Sequence, residues 1–163
     1  DPLLLAAGIA QIRQGSAGFR ATGAGLTWPW WLALLAEACG KVGQFDEGLR
    51  ALEEALAAVQ HNEERLYEAE VYRLKGELLL AQAGNRQTVA EAEACFQQAL
   101  DVARRRQARS WELRAAMSLA RLWQRQGKGT EARELLAPIY CWFAEGFDTA
   151  DLREAKALLE ELA

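Results

Sequence analysis

The feature that most constrains this chain is an internal repeat of small and large residues. Each copy has a small residue, an apolar residue four positions later, and a small or apolar residue seven positions later. Successive copies begin 40, 44 and 40 residues apart. Its four copies are Gly8-Ile12-Gly15, Gly48-Leu52-Ala55, Ala92-Phe96-Ala99 and Ala132-Leu136-Ile139. Spacings of four and seven lie on one helical face, so the pattern predicts four equivalent helices.

A second series of small residues lies between these copies. Ala36, Gly76 and Ala120 are 40 and 44 residues apart, and each follows the preceding small residue of the first series by 28 residues. The distance onward to the next copy is 12, 16 and 12 residues. The four extra residues therefore fall between Gly76 and Ala92, and we predict that they enlarge a polar turn over 84–88.

Composition supports helices throughout. The chain has 32 Ala and 25 Leu, but Val, Ile and Thr together number only 13, which favours helices over a β-sheet. We predict an all-α fold in which antiparallel helix pairs stack in a right-handed superhelix. Small residues would let paired helices approach closely. Two tight glycine-containing turns, 43–46 and 127–130, would connect the two helices of a pair. The eight expected helices cover residues 3–22, 29–42, 46–60, 63–83, 88–106, 109–126, 130–144 and 149–162.

Several helix signals are more local. We predict that Asn62 caps the fourth helix, that Thr88 and Glu91 form a capping box on the fifth, and that Asp148 caps the last. Pro138 falls inside the seventh helix, where it removes a backbone hydrogen bond, so we predict a kink there.

These residues resemble the tetratricopeptide repeat, whose pattern combines W-x2-L-G-x2-Y with A-x3-F-x2-A and a final proline. Leu32-x2-Leu35-Ala36-x2-Cys39 matches the first part, and Ala92-x3-Phe96-x2-Ala99 matches the second. The chain departs from the pattern in its longer period and in lacking the final proline. The resemblance implies a tetratricopeptide-like solenoid: residues 1–28 hold the second helix of an incomplete repeat, 29–61, 62–107 and 108–145 form three repeats, and 146–163 form a capping helix.

Longer segments are similar to one group of bacterial proteins. They include Gly8 to Gly15, Leu32 to Ala38, Arg73 to Leu79, Arg114 to Leu122 and Trp142 to Leu152. They resemble the C-terminal tetratricopeptide region of multidomain signalling proteins in which an adenylate/guanylate cyclase-like domain precedes an AAA/STAND ATPase. The resemblance implies a C-terminal regulatory region of a longer, cytoplasmic chain, with the catalytic motifs upstream.

Charge and cysteine content exclude other classes. The net charge of −4 argues against a sequence-independent nucleic-acid binder, and no apolar stretch reaches the roughly 20 residues of a membrane span. We interpret the run Arg104 to Arg106 as a solvated helix end that complements the helix dipole. Three dispersed cysteines fit reduced thiols in a cytoplasmic protein, and a single histidine, His61, leaves few metal or catalytic arrangements. We expect no enzyme activity, catalytic residue, cofactor or metal.

The resemblance places the first helix of each repeat along a concave groove, and ten residues would line it. They form an aromatic end, an acidic middle and a basic end, and they are Trp30, Glu37, Lys41, Glu70, Arg73, Glu77, Arg114, Met117, Arg121 and Arg125. The arginines could capture an acidic peptide or carboxylate. Alternatively, Glu70 and Glu77 simply pair with Arg114 and Arg121 across adjacent helices.

The cluster Trp28-Pro29-Trp30-Trp31 also has two interpretations. Trp28 and Trp31 could pack against the first helix near Phe19, or Trp30 could be an exposed anchor for a partner. Taken together, the sequence favours a non-catalytic module that binds a protein or peptide, which could be an upstream domain of its own chain. The alternatives are a small-molecule-sensing superhelix of a STAND-type regulator and a self-assembly module that forms a homodimer.

Overall fold

Eight helices account for most of the chain. The computed structural model describes residues 2–21, 27–62, 65–82 and 84–163, and no β-strand occurs among them. The helices are α1 (Pro2–Ala21), α2 (Trp28–Lys41), α3 (Phe45–Asn62), α4 (Glu68–Gln82), α5 (Arg86–Arg105), α6 (Arg109–Arg125), α7 (Gly129–Cys141) and α8 (Ala150–Glu161). The predicted all-α class is confirmed.

Helices that are neighbours in sequence form the pairs that the repeat predicts. The most extensive contacts join α2 to α3, α4 to α5 and α6 to α7. The first helices of successive pairs also contact each other, α2 with α4 and α4 with α6. The last helix, α8, contacts α6. The exposed side of α2, α4 and α6 therefore forms one surface, which we call the first-helix face.

The four extra residues of the second repeat do not form an enlarged turn, so that prediction is wrong. The ends of α4 and α5 are three residues apart, as in the α2–α3 and α6–α7 pairs. Counted from the small residue of each helix, α5 begins three residues earlier than α3 and α7 do. Counted in the same way, α4 ends one residue later than α2 and α6 do. Four residues are close to one 3.6-residue turn of helix, so the insertion lengthens this pair without rotating its buried faces.

The predicted tight turns after α2 and α6 are confirmed. Gly43 and Gly127 both adopt a φ of +76°, a left-handed conformation that glycine accepts without steric cost. The amide of Gln44 donates to the Cys39 carbonyl at 2.9 Å, and the amide of Lys128 donates to the Trp123 carbonyl at the same distance. Both helices thus end in the same hydrogen-bonded reversal.

Three predicted helix caps are wrong. Asn85, and not Thr88, caps α5, since its side chain accepts hydrogen bonds from the amides of Gln87 and Thr88 at 3.0 and 2.9 Å. Asn62 is the last residue of α3, and α4 begins only at Glu68; residues 63 and 64 lie outside the described residues.

The last helix also starts differently from the expectation. Thr149, and not Asp148, occupies the N-cap of α8, and its hydroxyl donates to the Gly146 carbonyl at 2.7 Å. Helix α7 continues through Pro138 to Cys141, and the kink at Pro138 stays a prediction.

From the second copy of the repeat onward, the small residues lie where paired helices meet, whereas a methyl group added at Gly8 or Gly15 of the first copy would have nothing within 4 Å. Ala36, Ala92, Ala120 and Ala132 are fully buried. A methyl group added at Gly76 would lie 2.5 Å from the Phe96 ring, and one added at Gly48 would lie 3.2 Å from the Ala36 carbonyl oxygen. The large residues of the repeat fill the space between, since Leu52, Phe96 and Leu136 are fully buried. The predicted close approach of paired helices at these small residues is therefore confirmed.

The closest approach gives a first test. Gly76→Ala should lower the free energy of unfolding by about 1–2 kcal/mol, because overpacking against the fully buried Phe96 ring outweighs the gain in helix propensity. Gly84→Ala is the matched control, since nothing lies within 4 Å of the added methyl, and it should change stability by less than about 0.5 kcal/mol. Urea unfolding monitored by circular dichroism measures both, and equal stability of the two variants would contradict the packing.

The three thiols should differ in reactivity. Cys39 is buried and Cys95 half-buried, and burial is the main cause that raises the pKa of each thiol, whereas Cys141 is exposed. Fewer thiolates form at pH 8 when the pKa is raised, and thiolates are the reactive species. We expect Ellman's reagent to modify one thiol per native chain in a fast phase and the other two only after unfolding. A fast phase that persists in Cys141→Ser would contradict this assignment.

Candidate functional site

The first-helix face carries most of the predicted groove residues. Helix α2 contributes Trp30, Glu37 and Lys41, helix α4 contributes Glu70, Arg73 and Glu77, and helix α6 contributes Arg114, Met117, Arg121 and Arg125. Two of the ten are not surface residues, because the exposed fractions of Glu70 and Met117 are each 3%. Met117 belongs to the apolar core, so the structure does not support it as a contact for a partner.

A buried carboxylate organises the middle of this face. Glu70 accepts two hydrogen bonds from Arg73, one from Nε and one from Nη2, both at 2.8 Å. Its Oε1 also lies 2.9 Å from Nη1 of Arg114 on the neighbouring helix. Arg73 and Glu70 are both nearly inaccessible, and charge-assisted bonds of this geometry are the strong ones. Glu70 therefore ties α4 to α6.

A second carboxylate extends the network. The hydroxyl of Ser118 on α6 donates to Glu77 at 2.6 Å, and Arg73 Nη1 lies 3.5 Å from both Glu77 and Ser118. Burial acts to lower the pKa of Arg73, but Glu70, then Glu77 and Glu37, outweigh it, so the pKa of Arg73 is raised. Arg73 is thus a permanently charged bridge, held by its own carboxylates.

Only half of the predicted cross-helix pairing is present. Arg114 does pair with Glu70, but Glu77 pairs with Arg73 and Ser118 instead of Arg121. Arg121 instead meets Glu154 of α8 at 2.9 Å. Arg114 also lies 3.9 Å from Asp151, at the start of α8. The capping helix therefore supplies acidic partners to two of the predicted groove arginines.

An open pocket lies between α2 and α4 on the first-helix face. Its volume is about 330 Å³, and we call it the α2–α4 pocket. Its apolar floor comes from Gly40, Phe45, Leu74, Leu78 and Ala81. Its rim has charges of both signs, supplied by Glu37, Lys41, Arg73 and Glu77. Four of the ten predicted residues thus surround one cavity.

The basic end of the face has a second open pocket, between α6 and α8. Its volume is about 360 Å³, and Arg121, Arg125 and Glu154 are among the residues around it. Arg125 is exposed, and no carboxylate in the described part of the chain pairs with it. Arg125 therefore remains available to an acidic group.

Trp30 belongs to an aromatic row at the starts of the first helices. Its ring stacks on Tyr67 with centroids 4.9 Å apart, and Tyr67 meets Trp111 edge-on at 6.5 Å. The guanidinium of Arg114 covers the other end of the row, 5.5 Å from the centroid of Trp111. Trp30 is only half-exposed, and the row joins three successive repeats.

The prediction for Trp28 is that it packs against the first helix near Phe19. Trp28 packs against the core around Leu32 and Leu52, and its indole nitrogen lies 3.3 Å from Glu54. The predicted contact with Phe19 lies outside the described residues, since the side chain at 19 is not described.

Sequence reasoning missed residues that come from outside the first helices. Phe45 is the first residue of α3, and Asp151 and Glu154 belong to α8. The α8 residues gave no signal because that helix is out of phase with the repeat. Ser118 could have been found, since it lies four residues after Arg114 and thus on the same stripe of α6.

Other kinds of site find no support in the described residues. No group of three or more His, Cys, Asp or Glu side chains is placed to hold a metal among them. No helix in the described ranges is long and apolar enough to cross a membrane. No protein-family model matches the chain, and no curated protein matches it. The tetratricopeptide resemblance therefore stays a prediction.

The buried carboxylate gives a direct test of the network. Glu70→Gln should lower the free energy of unfolding by about 2–3 kcal/mol, because two guanidinium groups lose their anion in a desolvated site. Glu37→Gln removes an exposed pair with Lys41, and it should cost less than about 0.5 kcal/mol. Chemical denaturation compares the two variants. A Glu70→Gln chain as stable as Glu37→Gln would show that the network contributes nothing to stability.

Proposed function

We propose that this chain is a non-catalytic module that binds a segment of another protein on its first-helix face. The observation that carries the proposal is the α2–α4 pocket, which combines an apolar floor with a charged rim. Leu74 and Leu78 lie at its base, each only 6% exposed. An apolar side chain of a partner would bury its surface there, which is the main favourable contribution to association.

The rim determines which segments fit. Glu37 and Lys41 are exposed and pair with each other at 2.8 Å, a contact that is weak in water and that a partner can replace. Arg73 is already paired with Glu70 and Glu77, so Lys41 is the rim cation that an acidic side chain of a partner would meet. We therefore propose a ligand whose apolar anchor residue is flanked by both an acidic and a basic side chain.

The wider setting is proposed from the sequence resemblance. The 40- and 44-residue spacing and the longer similar segments support a tetratricopeptide-like superhelix in a bacterial signalling protein of the cytoplasm. In that setting the bound segment belongs either to a separate protein or to an upstream domain of the same chain. The module then acts by positioning its partner and performs no chemical step.

A peptide selection tests the pocket. A phage-displayed library of random peptides is selected on the immobilised chain, and the enriched peptides are synthesised and measured by fluorescence anisotropy. We expect an apolar residue flanked by charges of both signs among them. Ala81→Arg should weaken their binding by about tenfold or more, equivalent to ~1.4 kcal/mol, because an arginine at this exposed lining position blocks the pocket.

The matched control changes the same residue type outside the pocket. Ala57 is exposed on α3, and Ala57→Arg should alter affinity by less than about twofold, well under 1 kcal/mol. Both variants add one positive charge, so a general Coulomb effect would move them together. Peptides that bind Ala81→Arg as tightly as the unchanged chain would contradict the pocket, and so would a library that yields no binder.

A further inference from the structure

A third cavity lies away from the first-helix face, where α4 begins and α5 ends. Its volume is about 240 Å³, several times the ~30 Å³ that a water molecule occupies in the liquid. The residues around it are Arg65, Glu68, Val102, Arg105 and Arg106. Three arginines and one glutamate thus line one cavity and give its lining a formal net charge of +2. We call it the arginine cavity.

The charges of the arginine cavity are poorly neutralised by the protein itself. Arg65 approaches Glu68 only to 3.9 Å, beyond hydrogen-bond distance. Arg105 and Arg106 are exposed and pair with no carboxylate in the described part of the chain. The net charge of the protein is −4, so two unpaired arginines beside a loosely paired third form an unusual local excess of positive charge.

The next repeat provides an internal comparison. Arg109 and Glu112 lie 44 residues after Arg65 and Glu68, so the two pairs are equivalent positions of the repeat. In the later repeat, Glu112 accepts from Arg109 at 2.8 Å and from Arg104 at 3.0 Å. Glu112 thus accepts short hydrogen bonds from two arginines, whereas Glu68 has only the 3.9 Å ion pair with Arg65. The same sequence pattern gives a closed pair in one repeat and an open site in the other.

The helix dipole does not account for this arrangement alone. Basic residues are favoured in the last turn of a helix, which explains Arg105 at the end of α5. Arg65, however, belongs to the segment before α4 and not to α5, yet it lines the same cavity.

We propose that the arginine cavity binds a phosphoryl dianion. A phosphoryl group carries a charge of about −1.5 to −2 at pH 7 and three strong acceptor oxygens, which complements a +2 site. Guanidinium groups match phosphate oxygens with paired N–H donors. A monoanionic carboxylate would leave half of the site's charge unmatched. The site goes beyond peptide binding on the first-helix face and does not depend on it.

Titration calorimetry at fixed ionic strength and pH 7.5 tests the proposal. The probes are inorganic phosphate, capped phosphoserine and acetate, and residues 63 and 64 are kept unchanged in every variant. We expect the two phosphoryl probes to bind at least tenfold more tightly than acetate. The double variant Arg105→Gln/Arg106→Gln should weaken phosphoryl binding at least tenfold while its circular dichroism spectrum and melting temperature stay close to those of the parent.

The matched control removes two charges elsewhere. Arg133 on α7 and Arg153 on α8 are exposed and unpaired among the described residues, and Arg133→Gln/Arg153→Gln should change phosphoryl affinity by less than twofold. Tighter binding of capped phosphoserine than of phosphate would assign the site to a phosphorylated chain, and the reverse to a free ion; either supports the proposal. Equal losses in both double variants, binding of acetate as tight as that of phosphate, or no heat with either phosphoryl probe would overturn it.

Discussion

The structure depends on how closely paired helices approach at repeated small residues. Gly76 leaves room for the Phe96 ring, and Gly48 leaves room for the Ala36 carbonyl. Packing at this density tolerates little added volume, so these positions fix both the separation and the register of each pair. The register in turn decides which side of α2, α4 and α6 is exposed. The first-helix face is therefore a consequence of where alanine and glycine occur.

The same register brings polar residues of successive repeats together. Glu70 reaches Arg114 because α4 and α6 are adjacent and in phase, and Ser118 reaches Glu77 for the same reason. A buried, fully paired carboxylate adds directionality to an otherwise apolar contact between helices. The face consequently has a rigid polar middle beside the α2–α4 pocket, whose outer pair, Glu37 and Lys41, is free to exchange partners.

The parts of the structure that follow from periodic packing could be predicted, and the parts that depend on local choice could not. The spacing of small residues predicted the helix pairs, and the position of a glycine predicted the turn at Gly43. It did not distinguish a longer turn from an added turn of helix near Asn85, because both insert four residues. It also could not show that Trp30 stacks on Tyr67 or that Glu154 reaches Arg121, since α8 and the segment before α4 lie outside the periodic pattern.

The central claim is that the α2–α4 pocket is where a partner binds, and chemical-shift mapping measures this most directly. Amide spectra of the nitrogen-15-labelled chain are recorded while a selected peptide is added. We expect the largest shifts on residues around the pocket, including Glu37, Lys41, Phe45 and Ala81. Shifts concentrated instead around the exposed Trp142 and Phe147, with the pocket residues unmoved, would contradict it.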